Sequence, residues 1–388
     1  MTEKIFYRDS HQKAFTATVI SCEPSGKMFE VVLDRTAFFP EGGGQAADTG
    51  TLDNVRVTDV QERGESILHM TEKPLAAGSR VKGEIDWDKR FSRMQQHTGE
   101  HIVSGLIHSR FGYDNVGFHL NDEICTLDLS GALSKEELDE IEYAANEVIA
   151  ANLPVEVSYP DKEQLAKMEY RSKIEIEGQV RIITIPDVDV CACCAPHMSY
   201  TGEIVLLKFI QAQNYKGGVR ITMVCGFRAL RDYRAKEASV KSIMRSLSAK
   251  EELIADAVER LKDECLELKG QLAQIQRKIL KYRAGEVPED EAVVCLFEQE
   301  LAGNGARELM NLILDRGAGI CAVFTRDTKE GYRYVLGSRS QDVRELCRSL
   351  NAAFSGRGGG KPEMTQGSVS GVEEEIREFI LGAAEERK

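Results

Sequence analysis

The chain has 388 residues, ten cysteines and a formal net charge of −13, a length that allows two or three domains with real cores. The sequence lacks an apolar run of membrane-spanning length and a signal peptide, so it predicts a cytoplasmic protein with reduced cysteines and no membrane partner. The negative charge argues against a broad surface for nucleic acid, although a local basic patch remains compatible with it.

Residues 14–86 show the short alternating apolar runs of β-strands. Turns containing Gly, Pro or Asp separate the runs, which are Phe15–Ile20, Phe29–Leu33, Val55–Val60, Ser66–Met70 and Arg80–Ile85. Alternation of apolar and polar residues is typical of strands with one buried face. Short strands at this spacing predict a small barrel or sandwich, and we assign residues 1–87 to a small N-terminal β-barrel domain.

Residues 88–226 combine helix and strand patterns. One helix is predicted from Asp88 to about Ser109, and an amphipathic helix is predicted from Lys135 to Ala151. The predicted strands are Gly117–His119, Ile124–Leu129 and Val155–Tyr159. We therefore predict an α+β domain over residues 88–226, which also contains the metal-ligand motifs described below.

A heptad pattern follows this domain. Apolar residues recur at alternating spacings of four and three, with charged residues between them, at Ile254, Val258, Leu261, Cys265, Leu268, Leu272, Ile275 and Ile279. Such a seam predicts a long coiled-coil-like helix, ending near Gly285, that packs against a helix of the same chain or of a second copy. We assign residues 227–286 to a long helical linker and expect a homodimer as one of the two outcomes.

Residues 287–388 alternate strand and helix patterns, which predicts a small C-terminal α/β domain. A glycine-rich loop, Ser355–Pro362, is expected between a strand and the final helix. The predicted fold class is therefore an α+β multidomain protein in four parts.

Two short motifs carry the strongest chemical signal. His97 and His101 are spaced i, i+4, and so are Cys193 and His197. On a helix this spacing places two side chains on one face, one turn apart. Imidazole and thiolate are ligands that Zn²⁺ prefers, and a tetrahedral site takes four. We predict one Zn²⁺ site formed by all four residues.

Each motif also has a structural explanation. The two histidines could form an ordinary polar stripe, and Cys193 could be a small buried apolar residue. Their joint occurrence favours a metal site, because three of the seven histidines of the chain lie in these motifs. Cys191 and Cys194 lie close to Cys193 in sequence, so the sequence leaves open which of the three thiolates binds the metal.

The first motif has a second interpretation. Residues 97–101, HTGEH, match the H-x-x-E-H pattern of inverted zincins. In a zinc metallopeptidase of that class, Glu100 would act as general base, and a downstream glutamate would be the third ligand. The Cys193–His197 pair would then have no purpose, which disfavours this alternative.

Further motifs identify a family. Residues 36–45, TAFFPEGGGQ, resemble the segment that opens the editing part of alanyl-tRNA synthetase, and residues 80–101 resemble the stretch that follows it. The C-x-x-x-H pair, TGEI at 201–204 and GVR at 218–220 keep the order of the family. The chain resembles a free-standing alanyl-tRNA editing protein of the long AlaX type. The family's usual C-G-G-T-H is replaced here by C-C-A-P-H.

The resemblance implies a trans-editing hydrolase that deacylates tRNA(Ala) mischarged chiefly with serine, and also with glycine. Only 35 residues precede Thr36, too few for an aminoacylation domain, so we expect hydrolysis without charging. We assign Thr36 and Gln45 to the recognition of the serine hydroxyl, because each side chain can donate and accept hydrogen bonds. Glu100 is retained as a candidate catalytic residue.

Three glycines and two cations are expected to contact the tRNA. Gly42, Gly43 and Gly44 would let the backbone approach the terminal adenosine or the aminoacyl group, although they could also form a simple hairpin turn.

Residues 355–362 resemble the DHH-associated domain of alanyl-tRNA synthetases, which implies that Arg357 and Lys361 help to hold tRNA phosphate. The alternative without a function is a mobile glycine loop.

The role of the predicted Zn²⁺ also has two interpretations, because the ion could be structural or catalytic. A non-catalytic tRNA-binding module with structural zinc is therefore the remaining alternative for the function of the protein.

Overall fold

The computed structural model describes residues 1–172, 179–299, 301, 303–327 and 331–385. The chain divides into two compact units, Met1–Ser242 and Ile243–Lys388. The mixed α+β multidomain architecture is confirmed, whereas the four domain boundaries stay predictions. Within the described ranges, no helix is long and apolar enough to cross a membrane.

The first 86 residues form a closed β-barrel. Their strands are β1 (Glu3–Lys4), β2 (Ala14–Ser25), β3 (Met28–Leu33), β4 (Arg35–Thr36), β5 (Gly50–Leu52), β6 (Val55–Arg63), β7 (Ser66–Thr71) and β8 (Arg80–Ile85). Six of them pair in the order β2-β3-β7-β6-β5-β8, and β8 closes the barrel against β2. Inward-facing residues alternate with exposed ones along β8, as the sequence pattern predicted, and apolar side chains fill the interior.

A buried ion pair fixes the loop that follows β4. Arg90 is fully buried and binds the carboxylate of Asp48. The Arg90 guanidinium also donates to the carbonyl of Ala37 at 2.6 Å, and the amide of Phe39 donates to Asp48 at 2.7 Å. Because a buried charge is tolerated only when it is paired and hydrogen-bonded, these contacts hold residues 37–49 in one conformation.

The central helix α1 (Trp87–Phe111) ends at Gly112, which adopts a left-handed C-cap with φ 71°. Its middle section is buried on nearly all sides. Two glycines permit this packing, since a Cβ at Gly99 would lie 2.6 Å from Sγ of Cys225, and one at Gly105 would lie 2.3 Å from the carbonyl oxygen of Val188.

Two antiparallel sheets complete the first unit. The elements are β9 (Asn115–Leu120), β10 (Cys125–Leu129), α2 (Lys135–Ala150), β11 (Glu156–Ser158), α3 (Lys162–Leu165), β12 (Ile182–Ile185), β13 (Asp189–Ala192), β14 (Leu207–Tyr215), β15 (Gly218–Cys225) and α4 (Phe227–Leu247). One sheet has the order β14-β15-β10-β9, and the other has the order β11-β12-β13. The apolar core between these elements includes residues of α1 and α2.

The second unit contains a mixed five-stranded sheet. Its elements are α5 (Ile254–Gly285), β16 (Val293–Glu298), α6 (Gly305–Leu314), β17 (Ile320–Arg326), β18 (Gly331–Ser338), α7 (Arg344–Ala353), β19 (Arg357–Lys361), β20 (Met364–Ser370) and α8 (Glu373–Glu385). The strand order is β16-β17-β18-β20-β19, and the β16–β17 pair is parallel. Separate apolar clusters line the sheet.

The long helix predicted from Ile254 to near Gly285 is confirmed as α5. The preceding part of the proposed linker forms the separate helix α4, and Ser248 adopts a positive φ of 49° in the interruption.

The expectation of a glycine loop at residues 355–362 is wrong, because Arg357–Lys361 is the edge strand β19. The glycines permit close pairing with β20, since a Cβ at Gly360 would lie 2.3 Å from the carbonyl oxygen of Met364.

Candidate metal centre

The fold brings the two predicted ligand pairs together. His97 and His101 lie one turn apart on α1, whereas Cys193 and His197 lie in the loop after β13 and not on a helix. The ligand atoms of all four residues lie within 4.8 Å of one another. Sγ of Cys193 is 3.5 Å from Nε2 of His97 and 3.4 Å from Nε2 of His197. Nitrogen and sulfur ligands of a tetrahedral ion lie about 3.6 Å apart, so the four donors could hold a metal ion.

Each histidine ring is oriented by a hydrogen bond from its second nitrogen. Nδ1 of His97 lies 2.9 Å from Oε1 of Gln45, and Nδ1 of His101 lies 2.8 Å from Oδ2 of Asp189. Nδ1 of His197 lies 3.3 Å from the hydroxyl oxygen of Thr98. Bonds of this kind fix the tautomer and leave Nε2 free to bind a metal.

Asp189 is itself held by a cation. Its Oδ1 accepts a hydrogen bond from Nε of Arg171 at 2.8 Å. Burial alone would raise the pKa of Asp189, but His101 and Arg171 hold that pKa below its usual value. The carboxylate therefore stays ionised beside the imidazole of His101, as a partner of a metal-bound histidine requires.

The charges at the centre suit a thiolate ligand. Burial alone would raise the pKa of Cys193, but the imidazoles of His97 and His197 lower that pKa well below its usual value. Burial lowers the pKa of His197 to about 3, so its ring is neutral. Burial alone would lower the pKa of His101, but the hydrogen bond with Asp189 and the nearby side chains of Cys191 and Cys193 together raise that pKa well above its usual value. A metal ion would replace the proton on His101 and bind the thiolate directly.

The neighbouring cysteines occupy different positions. Cys191 forms a separate buried group with His101 and Asp189, and burial raises the pKa of its thiol. Sγ of Cys194 faces the glycine turn, since a Cβ at Gly43 would lie 3.3 Å from it, and burial raises the pKa of Cys194 to about 11. Cys193 is therefore the thiol that the structure joins to all three histidines.

The glycine segment is a tight turn that presents Gln45. Gly42 and Gln45 exchange two backbone hydrogen bonds, and Gly43 and Gly44 adopt positive φ values of 58° and 79°. A Cβ at Gly44 would lie 2.6 Å from the carbonyl oxygen of Phe118, so this glycine is required for close backbone approach. Contact of these glycines with tRNA stays a prediction.

The side-chain amide of Gln45 is hydrogen-bonded through its oxygen but not through its nitrogen. The side chain is fully buried, and its Oε1 accepts the hydrogen bond from His97. Its Nε2 has no hydrogen-bond partner in the described part of the chain. A buried amide donor left without a partner costs stability, which points to a ligand group as its partner.

Thr36 lies in the short strand β4, and its hydroxyl oxygen is 2.8 Å from Nε2 of His69 in the barrel strand β7. Both residues are fully buried. The contacts described for Thr36 do not include the four metal ligands. Sequence analysis missed His69, and the available signal was a histidine at a buried position of the strand Ser66–Thr71.

Glu100 lies beside the ligands on α1. Its carboxylate accepts hydrogen bonds from Oγ of Ser104 at 2.6 Å and from the side-chain amide of Asn115, and its Oε2 lies 4.0 Å from Nε2 of His101. These contacts place Glu100 close to the centre but leave its catalytic role a prediction.

Comparison with known proteins adds independent information. Residues 4–89 match the family model of class II (A) tRNA synthetases, and residues 180–222 match the second additional domain of threonyl and alanyl tRNA synthetases. The chain is 30% identical over 387 residues to the alanyl-tRNA editing protein Aarsd1 of Mus musculus, covering 94% of this chain and 93% of that protein.

This chain belongs to the alanyl-tRNA editing proteins. The editing protein AlaX-L of Pyrococcus horikoshii is 26% identical to it, with 98% of each chain covered. The alanine–tRNA ligase of Pyrococcus abyssi is 29% identical over 96% of this chain but only 42% of the ligase. The editing protein therefore corresponds to part of the longer ligase.

Proposed function

We propose that this editing protein is an aminoacyl-tRNA deacylase that acts in trans on mischarged tRNA(Ala), with serine and glycine as the amino acids removed. The reaction is hydrolysis of the ester between the amino acid and the terminal ribose. Membership of the family supports the editing activity. The preference for serine rests on the hydrogen-bonding groups of the site, and the extension to glycine rests on the family resemblance.

We further propose that His97, His101, Cys193 and His197 hold Zn²⁺, because a buried set of imidazoles and one thiolate suits that ion. When bound, Zn²⁺ supplies a positive charge that can polarise an ester carbonyl or orient the substrate.

The observation that supports the deacylase most directly is that the two ends of the Gln45 amide have different partners. Its Oε1 holds the ring of His97, and its unpaired Nε2 is left to donate to an oxygen of the substrate. Because one amide contacts both a ligand histidine and the substrate, the aminoacyl group would be placed next to the metal centre. A fixed donor close to the ester oxygen would stabilise the charge that develops during hydrolysis.

A deacylation assay tests the function directly. Ser-tRNA(Ala) and Gly-tRNA(Ala) should be hydrolysed, and Ala-tRNA(Ala) should be spared. The variant Gln45→Leu should lose most of the rate, whereas Gln61→Leu, which changes a glutamine of the barrel, should retain it. Equal rates on all three substrates would contradict the proposal. tRNA binding without hydrolysis would support a binding module, and cleavage of peptides would support the metallopeptidase.

A further inference from the structure

A polar pocket, distinct from the metal centre, lies where the start of α4 meets the first turns of α1. Its volume is about 560 Å³. Four cations and two carboxylates contribute to its wall, namely Lys89, Arg228, Arg231, Arg234, Asp88 and Asp122. The chain as a whole is acidic, so this excess of positive charge is a local feature.

Arg228 is the unusual member of the pocket. It is only 7% exposed, and its guanidinium donates to Oγ of Ser92 at 2.9 Å and to the carbonyl oxygen of Asn121 at 2.7 Å. Both partners are neutral, and its Nη1 has no partner within the residues that the structure describes. A buried guanidinium is normally paired with an anion, so Arg228 has an unused donor for one.

One carboxylate of the pocket wall, that of Asp122, is already engaged with other cations. Asp122 accepts from Nη2 of Arg93 at 2.6 Å and lies 3.4 Å from Nζ of Lys89. Arg231 and Arg234 are exposed and form no ion pair in the ranges described. Residues spaced by three lie on one helix face, so these two arginines continue the face that begins at Arg228.

Aromatic side chains accompany the arginines in the pocket wall. Phe227 is 58% exposed and Phe91 is half-buried, and both rings line the pocket. Cations that track a phosphate backbone, together with aromatic rings on which bases stack, are typical of surfaces that bind single-stranded nucleic acid. A small free anion would use the cations but not the rings.

We propose that this pocket binds a backbone phosphate of the tRNA substrate, with Arg228, Arg231 and Arg234 as its donors. The inference rests on the proposed function. Ser92 precedes His97 by five residues on α1, about 7.5 Å along the helix axis. The bound phosphate would therefore belong to the nucleotides near the aminoacylated end of the tRNA.

The double variant Arg231→Gln with Arg234→Gln tests this assignment without touching the buried Arg228. Binding of uncharged tRNA(Ala) to the full-length protein would be measured by fluorescence anisotropy at several salt concentrations. Affinity should fall about tenfold or more, because each charge-assisted contact contributes substantially. The slope of log affinity against log salt should become shallower by about one to two.

A matched control removes two exposed cations outside the pocket, Arg80→Gln with Arg245→Gln. This control should bind tRNA with nearly the affinity of the wild type. The proposal is overturned if the pocket variant keeps the affinity and salt slope of the wild type, or if the control loses as much. It is also overturned if inorganic phosphate binds the wild type in an Arg231- and Arg234-dependent manner while tRNA affinity is indifferent to both substitutions.

Failure of the proposed function gives a different result. A protein that binds uncharged tRNA through the pocket but does not hydrolyse Ser-tRNA(Ala) or Gly-tRNA(Ala) would refute the deacylase and leave the assignment of the pocket to tRNA intact.

A second variant, Arg228→Lys, keeps the positive charge but removes the planar guanidinium, so it should weaken tRNA binding less than the double variant does.

Discussion

The hydroxyl of Thr36 donates its proton to Nε2 of His69. Nδ1 of His69 lies 3.0 Å from the carbonyl oxygen of Val31, which can only accept, so Nδ1 carries the hydrogen and Nε2 must accept. The Thr36 oxygen also accepts from the amide of Phe38 at 3.1 Å. One lone pair is left, so Thr36 can accept a hydrogen bond from a substrate but cannot donate one.

This polarity predicts how Thr36→Val changes specificity. Hydrolysis of Ser-tRNA(Ala) should fall about tenfold to a hundredfold, because the serine hydroxyl of the substrate loses the Thr36 oxygen as its acceptor. Leaving such a donor without a partner costs about 1–3 kcal/mol. Hydrolysis of Gly-tRNA(Ala) and the metal content should stay unchanged. Thr71→Val, at another buried threonine of the barrel, is the matched control. An unaltered rate on Ser-tRNA(Ala) would make Thr36 purely structural.

His69 should make the protein sensitive to acid. Burial lowers the pKa of His69 to about 4, whereas the unfolded chain has a histidine pKa near 6.5. Between these values the unfolded state binds the extra proton, so stability contributed by the neutral ring is lost as pH falls from about 6.5 towards 4. Between pH 7 and pH 5, the free energy of unfolding measured with urea should fall by about 2 kcal/mol more for the wild type than for His69→Gln. Parallel losses in both proteins would refute this.

The metal assignment predicts about one Zn²⁺ per chain in purified protein. His97→Ala with Cys193→Ala should remove the metal, because it takes away two of the four donors. The controls Cys191→Ser and Cys194→Ser should keep it, since neither thiol joins the four-residue cluster. Elemental analysis of each variant provides the measurement, and full occupancy in the double variant would disprove the ligand set.

The apolar seam of α5 predicts self-association. Leu268 and Ile275 are 55% and 54% exposed, although their spacing is that of a coiled-coil seam. Exposure of a whole apolar face favours a second copy as its partner. Leu268→Glu with Ile275→Glu should therefore give a monomer by light scattering, whereas Asp263→Lys on the opposite face should not. A wild type that is already monomeric would rule out the homodimer.

The edge strand β19 predicts a further tRNA contact. Arg357 and Lys361 are exposed and lie four residues apart, so they share one face of the strand. Arg357→Ala with Lys361→Ala should weaken tRNA binding and flatten its salt dependence without changing turnover at saturation. Arg348→Ala, on the neighbouring helix α7, serves as the control. Unchanged affinity and salt slope would exclude this strand from tRNA binding.

Local patterns predicted more of this protein than remote contacts did. The helix carrying His97 and His101 and the clustering of the four candidate ligands followed from spacing and ligand chemistry. Asp189 and His69 were missed, because each acts through another residue that is distant in sequence. Strand β5 was missed because its three residues are too few to show alternation.

The glycine-rich edge strand was mistaken for a loop for a different reason. Glycine disfavours strands by propensity, and the pairing with β20 that overrides this preference is not visible in the sequence.

The packing of α1 also limits where the chain can change length. A residue inserted between His97 and His101 would rotate the helix beyond it by about 100° and turn His101 away from the metal centre. The same insertion would bring a side chain against Val188 in place of Gly105. Insertions should instead be accepted at the turns around Gly64 and Gly78, where an added Cβ meets no atom within 4 Å. Fusion tags or fluorescent reporters inserted at those two turns should therefore leave the metal site intact.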